Sequence, residues 1–222
     1  MKAMILAAGR GERLRPLTDH CPKPLIPLNG KPLIAYHLEK LARAGITDVV
    51  INYAWLGEQF ERVLEHGETW GLRITYSPEP EGGLETAGGI IKALPLLGSE
   101  PFILINGDVY TDYDFADLPS RLEADCLAHL VLVPTPEFKA KGDFGWQAPG
   151  LVVNDGDWTF SGISVMDPAL LSNYPVERLP LAPILRQAIQ RQQVQGEVFH
   201  GFWSDIGTRE RLEQTENFVT KT

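Results

Sequence analysis

The sequence predicts an α/β protein with a Rossmann-like, doubly wound, mostly parallel sheet and a small lobe built from its last third. Three observations predict this fold. Short runs rich in Ile, Val and Leu alternate with segments of helical period over about the first 130 residues. Those runs are apolar throughout, as in strands covered on both faces. Glycine-rich stretches follow the runs directly, at the strand ends where open parallel sheets bind their ligands. A single domain over residues 1–222 is expected, with a first part to about 134 and a closing part from about 135.

The elements follow in order. Residues 3–6 (A-M-I-L) form the first strand. Residues 32–44 place Leu33, Tyr36, Leu41 and Ala44 on one helical stripe and stop at Gly45, a natural helix end. Strands are predicted at 49–53, 72–76, 102–105 and 128–133, and helices at 56–65, 86–94 and 115–124. Strand then helix, repeated, implies right-handed crossovers. After Pro134 the rhythm weakens. K-A-K-G-D-F-G-W-Q-A-P-G (139–150) is a loop by its Gly and Pro content, 158–166 a strand, 181–191 a helix, 195–202 a strand and 209–219 a closing helix.

A chain of 222 residues with 44% hydrophobic content can bury a substantial core. The formal charge is −9, from 29 acidic and 20 basic residues, which argues against nucleic-acid partners. Cys21 and Cys126 lack any C-x-x-C spacing, so they are expected to be free thiols of a reducing cytosol. M-K-A-M-I-L-A-A-G is too short an apolar run for a signal peptide, and no 18-residue apolar stretch occurs. A cytoplasmic protein without membrane partners is therefore expected. Nothing requires an oligomer, and the pattern is compatible with a monomer.

Against that acidic balance, residues 1–31 hold Lys2, Arg10, Arg13, Arg15, Lys23 and Lys31 but only Glu12 and Asp19, a local excess of six minus two, +4. Within this region Gly9 and Gly11 follow the first strand. Glycines there expose N–H groups that can cradle phosphate oxygens, although a bare G-x-G taken alone favours a tight strand-exit turn. The local charge favours a polyphosphate. No Lys-Ser or Lys-Thr pair completes a P-loop, and Leu14 stands where a dinucleotide fingerprint needs its third glycine.

The stretch L-A-A-G-R-G-E-R-L-R-P-L-T, then P-K-P-L and G-K-P-L-I, resembles the signature of the sugar-1-phosphate nucleotidyltransferases. E-T-A-G-G (85–89), N-G-D (106–108), F-S-G-I (160–163) and W-S-D-I-G-T (203–208) extend the resemblance over nearly the whole chain. It implies a nucleotide-diphospho-sugar transferase fold and an enzyme whose partners are a nucleoside triphosphate and a sugar 1-phosphate. It further implies that Leu6, Ala7, Ala8, Gly9, Gly11 and Glu12 line the nucleotide, that Arg13 holds the departing pyrophosphate and that Lys23 sits on the phosphate under attack. Pro22 and Pro24 stiffen the backbone around that lysine. Asp108 and Asp205 are implied to ligate Mg²⁺; taken alone, Asp108 also suits a turn and Asp205 a helix N-cap. His20 lies outside the shared motif and is read as a surface residue.

Glu79, Gly83 and Thr86 occupy the family's base-reading region, where Glu81 is an alternative acceptor and Glu85 replaces the usual glycine. On the sugar side the resemblance implies Asn106, Asp143, Gly145 and Asn154. The E-K-P motif of many relatives is replaced by G-L-V-V-N-D-G, which suits a sugar bearing its own carboxylate; Lys139 and Lys141 are candidates to pair it or plain solvated lysines. UTP and N-acetylmuramate α-1-phosphate, in cell-wall sugar recycling, are the implied substrates. GTP with mannose 1-phosphate, a thymidylyl or uridylyl transfer to glucose 1-phosphate, and a non-catalytic nucleotide-sugar-binding subunit are the alternatives.

Overall fold

The first strand, β1 (Ala3–Leu6), lies in the middle of the sheet and shows why the strand sequences are apolar throughout. Met4 packs toward the helices of one face and Ile5 toward those of the other, and both are fully buried. The computed structural model describes residues 1–221. After β1 come a short ribbon of β2 (Pro27–Leu28) and β3 (Lys31–Pro32), helix α1 (Leu33–Arg43), β4 (Asp48–Tyr53), α2 (Glu58–Leu64), β5 (Arg73–Pro78), α3 (Glu85–Leu97), β6 (Phe102–Asn106) and β7 (Val109–Thr111). The remainder is β8 (Ala128–Pro134), β9 (Phe144–Gln147), the long β10 (Leu151–Met166), α4 (Leu181–Gln190), β11 (Val194–Val198), β12 (Trp203–Asp205) and α5 (Arg209–Val219).

The main sheet has the order β11-β8-β10-β6-β1-β4-β5, with β9 paired to β10. β10 alone runs against the others, so the sheet is mostly parallel. Strand β10 enters between β6 and β8, so the closing part of the chain shares one sheet with the opening part. Helices α1 and α2 cover one face, and α3 and α4 the other. β7 and β12 form a separate two-stranded ribbon.

The sequence reading contains no β2, β3 or β7 and starts the strand of β10 at 158 rather than Leu151, and three further elements differ. Residues 115–124 form only a 3₁₀ turn, Phe115–Asp117, because Asp114 caps Ala116 N–H and Pro119 lacks the N–H that a continuing helix needs. The loop 139–150 contains strand β9, hidden because Gly145 must lie against the Asp155 carbonyl of β10. The strand read at 195–202 ends at Val198 as β11; Phe199 to Phe202 cross to β12, which begins only at Trp203, beyond that range.

His37 of α1 is 1% exposed, stacks on Phe115 at 6.0 Å between ring centroids, and has no side-chain hydrogen-bond partner among the described residues. Burial pushes its pKa down to about 4. A histidine depressed in the folded state contributes full stability above its unfolded value, and that contribution is lost as pH falls from about 6.5 toward 4. The linkage predicts a loss of about 2 kcal/mol between pH 7.5 and 5 from this residue alone. His37→Leu should flatten that part of the pH profile in urea denaturation; an unchanged slope would exclude His37 as its source.

Candidate active site

The parallel strands set the mouth of the site. Leu6, the last residue of β1, stands in register with Asn52 of β4 and Asn106 of β6. Asn52 is 2% exposed; its Oδ1 accepts from Ala7 N–H (2.8 Å) and its Nδ2 donates to Glu79 Oε1 (2.6 Å). Glu79 Oε2 accepts from Leu84 N–H (2.7 Å). One buried amide and one carboxylate thereby tie the opening loop to the loop before α3. Asn52 belongs to no motif; its signal is a polar side chain inside the strand V-V-I-N-Y, where burial demands partners.

Beyond Ala7 the backbone is open. The N–H groups of Ala8 through Arg13 have no acceptor among the described residues. The two glycines of this loop do different things. A Cβ on Gly9 would meet nothing within 4 Å, so that position faces open space. Gly11 has φ +69°, and a Cβ there would lie 2.9 Å from Thr18 Cγ2 and 3.1 Å from Lys23 Cβ. Its carbonyl accepts from Thr18 Oγ1 (2.8 Å), which closes the loop over P-K-P. Gly11→Ala is expected to cost about 1–2 kcal/mol through the left-handed backbone and to lower turnover by displacing Lys23. Melting and rate measurements on the purified variant check both, and an unshifted rate would separate Gly11 from the lysine.

Most of the positive charge that marks this stretch is already committed. Lys2 donates to the Leu96 carbonyl, and Lys31 pairs with Glu39 at 2.7 Å. Arg10 and Arg15 converge on Asp19 (3.1 and 2.8 Å), with Arg10 also stacked 3.8 Å over Trp55. The Arg10 guanidinium holds the Asp19 carboxyl below the ordinary carboxylate range. Arg13 is exposed and has neither an ion pair nor a hydrogen bond among the described residues. Lys23 is nearly buried and points to Asp108, Nζ to Oδ2 2.5 Å. Among the described residues Arg13 is therefore the uncommitted cation of this stretch, and Lys23 could meet a ligand only by leaving Asp108.

N-G-D follows β6 because only a glycine fits its centre: a Cβ on Gly107 would stand 2.7 Å from the Leu6 carbonyl and 3.3 Å from Pro24 Cγ. That close approach sets Asp108 beside Lys23. Asp205 reaches the same place through the β7–β12 ribbon, where it is in register with Val109 while Ile206 N–H donates to the Asp108 carbonyl (2.8 Å). It is not a helix N-cap; Thr208 accepts from Arg211 N–H and caps α5. Asp205 instead takes an ion pair from Arg211 Nη1. Two part-exposed carboxylates carried by adjoining backbone at one end of the β7–β12 ribbon, offering only oxygen, suit a hard cation that keeps other oxygens in its shell. Among the described residues no three His, Cys, Asp or Glu side chains converge, so protein ligands alone would leave that shell open.

On the loop before α3, a Cβ on Gly83 (φ +72°) would stand 3.6 Å from Glu79 Oε2 and 3.9 Å from the Ala8 carbonyl, and Thr86 occupies the first turn of α3. A-G-G in α3 allows Gly88 to lie against the Glu177 carbonyl and Gly89 against Glu79. Glu85 adopts φ +58°, in the left-handed region that favours glycine, and pairs with Arg178 at 3.1 Å. Gly162, at the β10 bulge, has φ +81°, and its Cβ would fall 2.6 Å from the Asn106 amide, which covers it.

The sugar-side candidates from sequence are less concentrated. Asp143 accepts from Lys139 (2.5 Å) and Phe160 N–H (3.0 Å), and Lys141 pairs with Asp155 at 3.2 Å. Asn154 exchanges hydrogen bonds with Arg186 of α4, whose guanidinium also holds the Asp143 carbonyl and covers Phe144. Arg186 thus staples the β9–β10 hairpin. It belongs to no motif because its partners are backbone carbonyls, which leave no mark on sequence.

The family model for nucleotidyl transferases matches residues 2–148. N-acetylmuramate alpha-1-phosphate uridylyltransferase of Neisseria meningitidis is 49% identical over 97% of both chains. Mannose-1-phosphate guanyltransferase beta-B of Xenopus laevis is 32% identical over 99% of this chain, which spans 63% of that longer protein. A Bacillus anthracis protein, solved with sucrose bound and assigned to the glucose-1-phosphate thymidylyltransferases, superposes with a TM-score of 0.85 over 100% of this chain and 96% of that one; at 21% identity the likeness is one of fold. By the family match and by these relatives, the chain belongs to the nucleotidyl transferase family.

Proposed function

We propose that this protein transfers a uridylyl group from UTP to N-acetylmuramate α-1-phosphate and releases pyrophosphate. The observation that carries the chemistry is the meeting of Lys23, Asp108 and Asp205 beside the free N–H groups of residues 8–13. The choice of substrates is supported by the 49% identity, end to end, to a uridylyltransferase for that sugar phosphate. The first part of the chain holds the nucleotide and the part beyond about residue 134 closes over the sugar. UTP as donor and two free cysteines fit a cytoplasmic, reducing setting.

An oxygen of the sugar 1-phosphate, already anionic, bonds to the α-phosphorus as the bond to the β-phosphate breaks, and pyrophosphate leaves with the electron pair. No proton must be removed from the nucleophile, so the work is alignment and charge neutralisation of two anions. The open N–H groups of Ala8 to Arg13 receive triphosphate oxygens, and the unpaired Arg13 guanidinium holds the departing pyrophosphate. Lys23, on its proline-stiffened base, turns from Asp108 to the α-phosphate. Asp108 and Asp205 are the residues that would hold Mg²⁺, which when bound would supply neutralisation of phosphate charge. Gly83 and Thr86 face the base, with Glu79 holding their loop through Asn52 and Leu84. Asn106, laid over Gly162, faces the sugar.

The test is a substrate panel followed by pyrophosphate release. UTP with N-acetylmuramate 1-phosphate should give the highest kcat/KM. The match to mannose-1-phosphate guanyltransferases makes GTP with mannose 1-phosphate the specific alternative, and faster turnover of that pair would replace the present reading. A protein that binds nucleotide sugars and turns over no pair would be the regulatory subunit.

A further inference from the structure

Both carboxylates assigned to the metal are already occupied by cations of the chain. Lys23 takes Asp108, and Arg211 takes Asp205. The second pair is the less expected, because Arg211 lies outside the W-S-D-I-G-T motif. Its side chain is only 11% exposed. Nε reaches Thr208 Oγ1 at 3.4 Å, and the guanidinium rests 4.1 Å from the ring of Phe138, itself 60% exposed on the loop between β8 and β9. Arg13 arrives at the same spot from the opening loop: a Cβ on Gly207 would run into Arg211 and stand 3.1 Å from Arg13 Nη2.

We propose that Arg211 is a positioning residue that keeps Asp205 neutralised in the free protein, so that the divalent ion enters only together with the nucleotide. This rests on the metal assignment made above. A bare ion meets two carboxylates whose charge is already cancelled, and it must displace a charge-assisted hydrogen bond at each. A metal–triphosphate complex brings the replacement anion with it. As Asp205 turns to the metal, Arg211 loses its partner while standing beside the unpaired Arg13, and two neighbouring guanidinium groups then require an anion between them. The triphosphate supplies it. Metal and nucleotide are thereby coupled through Arg211, and the coupling is reciprocal: each raises the affinity of the other by the same factor.

The experiment is Mn²⁺ binding by electron paramagnetic resonance, with no turnover involved. Wild-type protein alone should bind Mn²⁺ weakly, and a UTP analogue that cannot be cleaved between the α- and β-phosphates should tighten it. Arg211→Met should bind Mn²⁺ at least about tenfold more tightly than wild type without nucleotide, and should lose most of the nucleotide's enhancement. Asp205→Asn in that background should remove the gain. Arg211→Gln, which keeps a donor to Asp205 but not the charge, should show a smaller gain and serves where the methionine variant does not fold by circular dichroism. Mn²⁺ affinity of the free protein that is unchanged by both substitutions overturns the proposal. If Mn²⁺ binds to the nucleotide complex but neither variant gains, the coupling through Arg211 alone is wrong; if no form binds Mn²⁺ with or without nucleotide, the metal assignment falls first.

Discussion

Lys23→Ala is expected to lower kcat by about two to three orders of magnitude, the loss typical of removing one preorganised donor from a developing anion. Two features make the effect large. The lysine is nearly buried between two prolines, so no other cation can move into its place, and its Nζ already lies where the chain brings Asp108 to the mouth of the sheet. Removing it leaves the Asp108 carboxylate to repel the incoming triphosphate. Lys23→Arg should not restore the rate, because a planar fork does not replace a point charge on a stem that Gly11 already crowds at its Cβ. Single-turnover rates and UTP affinity measured separately check this; a kcat within a factor of about three of wild type would remove Lys23 from the reacting centre.

Asp205→Ala and Asp108→Ala are each expected to reduce turnover by about a thousandfold or more, since on the proposed function these two carboxylates would hold the metal that supplies several kcal/mol of charge stabilisation. Both side chains are partly exposed, so the fold should survive. The two variants should nevertheless differ in stability. Asp205→Ala leaves the nearly buried Arg211 without its carboxylate and should cost about 1–3 kcal/mol, whereas Lys23 released from Asp108 can extend toward the open mouth. Circular dichroism and thermal melting read the fold, and pyrophosphate release reads the rate. Substantial activity in either variant would contradict the metal assignment at that position.

How much of this is legible in the sequence depends on whether the residues that cooperate are neighbours along the chain. Gly9, Gly11, Arg13 and Lys23, proposed to act together, lie within one stretch of fifteen residues, so their pattern is visible along the chain, with the roles of Arg13 and Lys23 implied by the resemblance. The pairing of Asp108 with Asp205 needed the family resemblance, because only the β7–β12 ribbon brings them together. The local charge excess is largely consumed within the chain: Arg10, Arg15 and Lys31 fold the stretch through Asp19 and Glu39, and Lys23 pairs with Asp108, so that among the described residues Arg13 is the uncommitted cation of the stretch. Asn52, Arg186 and Arg211 stayed hidden, since each works through a partner that topology supplies. The fold was legible where strands are apolar on both faces, as at Met4 and Ile5. It was misread where local chemistry interrupts a period, as at Asp114 and Pro119, or where glycines conceal a strand, as at Gly145.

The measurement that tests the central claim most directly is to follow the α-phosphorus itself. UTP labelled at the α-phosphate, incubated with the protein, Mg²⁺ and N-acetylmuramate 1-phosphate, should pass its label into a single product whose mass is that of the uridine diphosphate sugar, while label at the γ-phosphate should appear only in pyrophosphate. Retention of the α-label in UTP or its appearance in UMP, with no labelled nucleotide sugar, would contradict attack of the sugar phosphate at the α-phosphorus and with it the proposed function.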